Sequence, residues 1–265
     1  MKFKNYKIRT KLSRLPYPII GFLALLFVIS RIISRKKIVL ILTPGKVGSS
    51  SLYYSLLKKT NYCVFHIHYI SKKSILKEFK NERNSSKRGA SWHLYVSYWI
   101  HLIIKWFKIK YKVIMLVRKG SSRYLSSVFQ NLNQLPKNVF NQRNGFINNI
   151  ELKKIILNGV DADIKKINHY MEVELGFFNI NNVVLKINET YKGKRQDKVE
   201  ILYTTLFQKD SLIHINSFLK TQINKLEKAN VGKDKFYSKE YSEIKKDVEL
   251  ITIPKYYEID SKLGF

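Results

Sequence analysis

Acidic side chains are almost missing from the first 150 residues of this chain: Glu78 and Glu82 stand against 29 lysines and arginines, and the next carboxylate is Glu151. That scarcity argues against chemistry built on carboxylate-held divalent cations, including magnesium-dependent nucleotide hydrolysis. The net charge of +30, concentrated in this half, favours a polyanionic or phosphorylated ligand. A lysine- and asparagine-rich composition accounts for part of that excess, so charge alone names no ligand. Cys63 is the only cysteine, which excludes an intrachain disulfide, and its apolar neighbours mark it for packing. With 5 prolines and 11 glycines in 265 residues, no linker or repeat divides the chain. One core over 38–265, preceded by an appendage over 1–37, is expected.

Long hydrophobic runs are also scarce. The longest uncharged stretch near the N-terminus, "LPYPIIGFLALLFVIS" at 15–30, makes a helix of about 24 Å, short of the ~30 Å hydrocarbon core of a bilayer. No small-residue cleavage site follows to mark it as a removable signal. Six basic residues precede it, and Arg31, Arg35, Lys36 and Lys37 follow. With basic clusters on both sides the positive-inside rule orients no span, whereas a helix lying in the cytoplasmic interface keeps both clusters on anionic lipid. The expectation is membrane attachment on the cytoplasmic side through residues 1–37, spanning or surface-bound, in preference to a buried core helix.

Beyond that helix, apolar runs alternate with amphipathic ones. Strands are expected at 38–43, at "YCVFHIHYI" (62–70), at 111–117 and at "NNVVLKIN" (181–188). Helices are expected at about 49–59, 72–83, 91–108 and 121–134, at 151–159, separately at 161–176, and over most of the C-terminal quarter. Such alternation implies an α/β fold, a central parallel sheet flanked by helices on both faces. Ligands then bind at the carboxyl ends of the strands. Asp161 and Asp163 read as helix starters, and His93, His101, His169 and His214 as structural or surface residues.

Three motifs fall at those strand ends. The first is "LTPGKVGSS" at 42–50, a strand, a glycine turn containing Lys46, and a helix opening on serines, which is an arrangement suited to phosphate. A nucleotide triphosphatase loop needs its lysine after the last glycine; here Lys46 precedes Gly48, and the third strand ends in Arg118 where a metal-binding aspartate would be needed. The second is "LVRKGSSRYLSSVFQN", which leaves the third strand at Arg118 and places Ser126 eight residues on, inside a helix. The third is "VFHIHYIS", in which His66 and His68 point to the same side of a strand. With no third ligand evident nearby, a metal site is not expected.

The first run resembles the 5′-phosphosulfate loop of sulfotransferases, Lys-x-Gly-(Ser/Thr)-(Ser/Thr). This implies a three-layer P-loop-like fold and the donor 3′-phosphoadenosine 5′-phosphosulfate. It assigns Lys46 to the bridging oxygen between phosphate and sulfonyl group, and the turn Gly45, Lys46, Val47, Gly48, Ser49, Ser50 and Ser51 to the 5′-phosphate. The same resemblance gives Arg118 and Ser126 to the 3′-phosphate, although the family's Arg-Asp-Pro is replaced by Arg118-Lys119-Gly120, with Ser121 or Ser122 left to cap the helix. Sulfotransferases acting on uronic acids of heparan sulfate carry a His-x-His whose second histidine is the general base, which points to His68, with His66 orienting the acceptor. "EKANVGKDKFYSKEYSEIKK" (227–246) resembles a signature of bacterial capsular polysaccharide synthesis proteins, matched at Lys235, Tyr237 and Ser238 with Phe236 for tryptophan. The basic run at Lys192, Lys194 and Arg195 is a weaker match to a loop near the 3′-phosphate. The resemblance covers about 38 to 257. It implies metal-free transfer of a sulfonyl group to a hydroxyl of a saccharide acceptor, glycan or lipid-linked, with no nucleic acid as partner. A capsule-assembly enzyme of another class, glycosyltransferase-like, and a non-catalytic polyanion or nucleic-acid binder remain as alternatives.

Overall fold

The computed structural model describes residues 16–34, 37–84, 92–141, 145–180, 183–193, 199–227 and 237–265. Its centre is a five-stranded sheet in the order β2-β1-β3-β7-β6, made of β1 (Lys37–Leu42), β2 (Tyr62–Ile67), β3 (Tyr111–Leu116), β6 (Glu189–Lys192) and β7 (Glu200–Thr204). The first four in that order run parallel, and β6 closes the edge antiparallel to β7. β4 (Phe140–Asn141) and β5 (Phe146–Ile147) form a small separate hairpin.

The central strands are buried on both faces, so they read as continuous apolar runs. Alternation within each run sorts the core into two layers. Leu40, Leu42, Phe65, Val113, Met115 and Tyr203 face α4 (Trp92–Phe107) and the second half of α6 (Asn149–Phe177). Val39, Ile41, Val64, Ile114, Leu116 and Leu202 face α2 (Ser49–Lys59) and α7 (Ser211–Leu219). A third cluster joins α5 (Gly120–Gln130), the first half of α6 and the C-terminal helix α8 (Ser238–Lys262) through Phe129, Leu152, Ile156, Ile244 and Val248. α3 (Lys72–Asn84) lies against α4 and α6. Cys63 is buried.

The expected parallel α/β architecture is observed, with three corrections. The run at 183–188 forms no strand; the sheet is completed by β7, whose Ile201, Leu202 and Tyr203 are buried while Val184 is exposed, and residues 181 and 182 lie outside the described set. α6 is one continuous helix of 29 residues, not two. Gly159 does not stop it, because that glycine makes room for Tyr124, whose hydroxyl oxygen lies 2.1 Å from where a Cβ would stand. Asp161 and Asp163 therefore sit inside the helix. Asp163 pairs with the buried Arg123 and accepts from the Tyr256 hydroxyl at 2.8 Å.

α1 (Tyr17–Ile33) begins behind Pro16, with Pro18 tolerated in its first turn. Its inner face, Ile20, Gly21, Ala24 and Val28, is buried. Trp99 donates to the Gly21 carbonyl at 2.7 Å, the Tyr95 ring lies over Gly21, and Phe27 meets Phe65 and Trp92 edge-on. Among the described residues no helix is long and apolar enough to cross a membrane.

The Arg123 and Asp163 side chains are 7% and 10% exposed, so removing one partner strands a buried charge. Asp163→Ala is expected to lower unfolding stability by about 3–5 kcal/mol in urea titration. Arg123→Met combined with Asp163→Leu should recover part of that loss, and an unchanged midpoint for Asp163→Ala would show that the pair holds nothing together.

Candidate functional site

β1 is followed in sequence by β2 on one side of it and β3 on the other. The loops leaving the carboxyl ends of β1 and β3 therefore diverge and leave a crevice, the usual ligand position in an open parallel sheet. The 43–48 turn and Arg118 form its two walls.

The turn is anchored below by Val47, fully buried beneath α2. Three of its backbone torsions are left-handed, with φ of 92° at Gly45, 60° at Lys46 and 80° at Gly48. Gly48 caps α2, and a Cβ there would press on Leu206 at 3.3 Å. Lysine pays a steric penalty in that conformation. Left-handed turns of this kind suit an anion-accepting concavity of N–H groups, and this one stands at the N-terminus of α2, where Ser49, Ser50 and Ser51 begin the helix. Thr43 Oγ1 accepts from the Gly45 N–H at 2.7 Å and fixes the entry to the turn.

Arg118 spans the crevice. It donates to the Lys46 carbonyl at 3.3 Å and to Ser126 Oγ at 3.1 Å, and its guanidinium lies 4.4 Å from the Phe207 ring centre. The Lys46 ammonium donates to Gln130 Oε1. Burial lowers the pKa of Arg118, while Tyr241 and Glu249 act in the opposite direction. Lys46, Arg118 and Ser126 thus form one contiguous group, with the turn's glycines and serines around Lys46.

The expected serine cap of α5 is not what is observed. The Gly120 N–H donates to Asp260 Oδ1 of α8 at 2.7 Å, and Ser122 Oγ donates to Glu249 at 2.9 Å. Gly120 is also required sterically, since a Cβ there would lie 2.2 Å from the Tyr256 ring. The missing aspartate is replaced from 140 residues away. Tyr237 and Tyr241 pack on Phe129, and the Tyr241 hydroxyl lies 3.5 Å from Ser126 Oγ. Lys194, Arg195, Lys235 and Phe236 lie outside the described residues.

His66 ends in β2, paired with Ile41, and His68 lies just beyond the strand. Their ring centres are 5.2 Å apart, and His93, from the first turn of α4, joins them at 6.0 and 5.7 Å. His93 is thus not the scattered residue that sequence made it. Despite the three rings, no His/Cys/Asp/Glu group among the described residues is arranged to hold a metal ion. His68 Nδ1 is 2.9 Å from the Thr43 carbonyl. A carbonyl only accepts, so Nδ1 carries the proton and Nε2 presents its lone pair. Burial pushes His68 below the ordinary 6.5; the Thr43 bond opposes this, and Lys46 and Lys166 reinforce it. Around His68 and His93 lies a cleft of about 190 Å³, which Tyr69, Glu78 and Glu82 also line. The two carboxylates of the acid-poor half thus stand together.

Gln130, Tyr241, Asp260 and His93 were not singled out from sequence. A signal existed for Gln130, which follows Ser122 and Ser126 at four-residue spacing on one face of α5. The other three are brought in by packing alone.

No family model, characterised protein or solved structure matches this chain.

In an NMR titration of ring protons, His68 should titrate below 6.5. Lys166→Gln should move that midpoint upward, because it removes a cation that disfavours the imidazolium. A midpoint above 6.5 in the wild type would contradict the buried, carbonyl-bonded ring.

Proposed function

We propose that the chain is a sulfotransferase of P-loop-like architecture that moves a sulfonyl group from 3′-phosphoadenosine 5′-phosphosulfate to a saccharide hydroxyl. The observation that carries this is the Arg118–Ser126 contact at 3.1 Å, joined through Arg118 to the Lys46 turn at 3.3 Å. An arginine fork and a hydroxyl suit one phosphate, while a lysine and a concave turn one crevice-width away suit a second phosphate bearing the sulfonyl group. A donor with phosphates at both ends of its ribose fits two such cradles.

The residues divide the reaction as follows. The Gly45–Ser51 turn binds the 5′-phosphate with its N–H and hydroxyl groups. The acceptor oxygen attacks sulfur in line as the bond from sulfur to the bridging phosphate oxygen breaks. Charge grows on that oxygen, and the Lys46 ammonium with the positive end of α2 stabilises it there. Lys46 exchanges its Gln130 partner for the donor on binding. His68 Nε2 takes the acceptor's proton; the 3′,5′-adenosine bisphosphate leaves with the electron pair. A depressed pKa keeps His68 neutral, the form a base requires. His66 and His93 flank it and orient the acceptor.

The cleft beside His68 favours one class of acceptor. Glu78 and Glu82 repel uronates and accept from hydroxyl or ammonium groups, so a neutral or amino-bearing sugar, within a capsular glycan or a lipid-linked saccharide, fits better than an acidic one.

Calorimetric binding of 3′,5′-adenosine bisphosphate is the direct test, with magnesium-ATP as the competitor. The bisphosphate is expected to bind more tightly, and Lys46→Ala and Arg118→Ala should each weaken it about ten- to a hundredfold, the ~1.5–3 kcal/mol of a hydrogen bond to a charged group. His68→Ala should leave this binding intact while costing about 10²–10⁴ in transfer rate. Equal affinity for the two nucleotides, or insensitivity to both substitutions, would overturn the assignment.

A further inference from the structure

The outer face of α1 is unpartnered by the described chain. Ile19, Phe22, Leu26, Ile29 and Ile33 are 38–80% exposed. Their spacing of three and four residues puts them within an arc of about 80° at 100° per residue. The helix is thus apolar on both sides: one face is used by Tyr95, Trp99, Phe65, Trp92 and the core, and the other is offered outward. The run at 15–30 contains no charge, yet six basic residues lie in the first 14 and Arg31, Arg35, Lys36 and Lys37 follow it. α4, on which α1 packs, ends in exposed Trp106 and Phe107 among Lys105, Lys108 and Lys110.

We propose that this stripe seats the folded protein on the surface of an anionic bilayer, with α1 lying in the membrane plane. The placement is neither a span nor a free anchor: Gly21, Ala24 and Val28 are committed to the protein core, so only the outer stripe enters lipid. An apolar stripe bracketed by cations matches the acyl boundary beneath anionic headgroups. A second copy of the chain fits poorly. It would bring +30 against +30, and five side chains on one helix fall well short of the roughly 800 Å² per partner of a stable protein interface. Docking of this kind does not depend on which chemistry the crevice performs.

The test is flotation of the full-length protein with phosphatidylcholine vesicles, with or without phosphatidylglycerol. Binding to the anionic vesicles is expected, weak binding to the neutral ones, and release as salt is raised. Phe22→Ser combined with Leu26→Ser should lower the affinity at least about tenfold, with thermal unfolding and bisphosphate binding unchanged, which separates this outcome from any failure of the crevice assignment. Equal binding to neutral vesicles, or a double variant that still floats, would overturn the proposal. So would sedimentation showing a vesicle-free dimer that the same substitutions dissociate, since a second copy would then cover the stripe. A monomer that binds neither vesicle overturns it as well.

Discussion

The chain reverses its direction across the sheet between β1 and β3, and the loops leaving those two strands must part. Everything at the candidate site follows from that separation. It leaves room for a ligand beside the 43–48 turn and the positive end of α2. It also makes Arg118 the residue that bridges the gap, since a guanidinium long enough to reach both the Lys46 carbonyl and Ser126 holds the walls at a fixed distance. Both bonds come from Nη1, so the other guanidinium nitrogens are not used on these two partners. The left-handed backbone at Lys46 is retained because Val47 is locked in the core beneath it and Arg118 holds its carbonyl from across the crevice.

The C-terminal helix completes what the β3–α5 turn lacks. Asp260 caps α5, Tyr256 occupies the space that makes Gly120 necessary, and Tyr241 reaches Ser126. Arg118 and Ser126 are presented on an α5 whose first turn is held by a helix far along the chain, so the site is assembled only when α8 docks. The same α8 joins the Arg123–Asp163 pair through the Tyr256 hydroxyl, linking the turn to α6. A buried, mutually bonded trio fixes the register of three helices where apolar packing alone would permit sliding.

Charge is divided by task. The acid-poor first half supplies both crevice walls and all three clustered histidines, and its two carboxylates line the cleft beside His68. The acids of the second half hold the scaffold. Asp163 meets Arg123, and Asp247 meets Lys153. Glu174 accepts from the backbone N–H groups of Ile70 and Ser71 at 2.8 and 3.1 Å, fixing the turn that follows His68. His101 Nδ1 reaches the Ile70 carbonyl from the other side at 2.8 Å. Burial raises the Glu174 pKa against the pull of those hydrogen bonds, so this carboxylate is held by geometry at an electrostatic cost.

Much of the fold was legible in the sequence because central parallel strands are buried on both faces and announce themselves as apolar runs: β1, β2, β3 and α2 fall where periodicity places them. The phosphate-suited turn was legible too, since glycine and lysine at those spacings have few other uses after a strand. What failed was local signal whose cause lies elsewhere in the chain. Gly159 looks like a helix stop but makes room for Tyr124, the run 183–188 looks like a strand but β7 takes its place beside β3, and His93 looks isolated until α4 folds over the end of β2. The sequence by itself determined the alternation of strands and helices, the basic character of the crevice and the apolar nature of α1, because each is a property of neighbouring residues. Only the tertiary structure decided that α1 buries one face and exposes the other, that Asp260 caps α5, and that His68, His93 and two glutamates share one cleft. Those contacts join residues tens to more than a hundred positions apart, and no local periodicity records them.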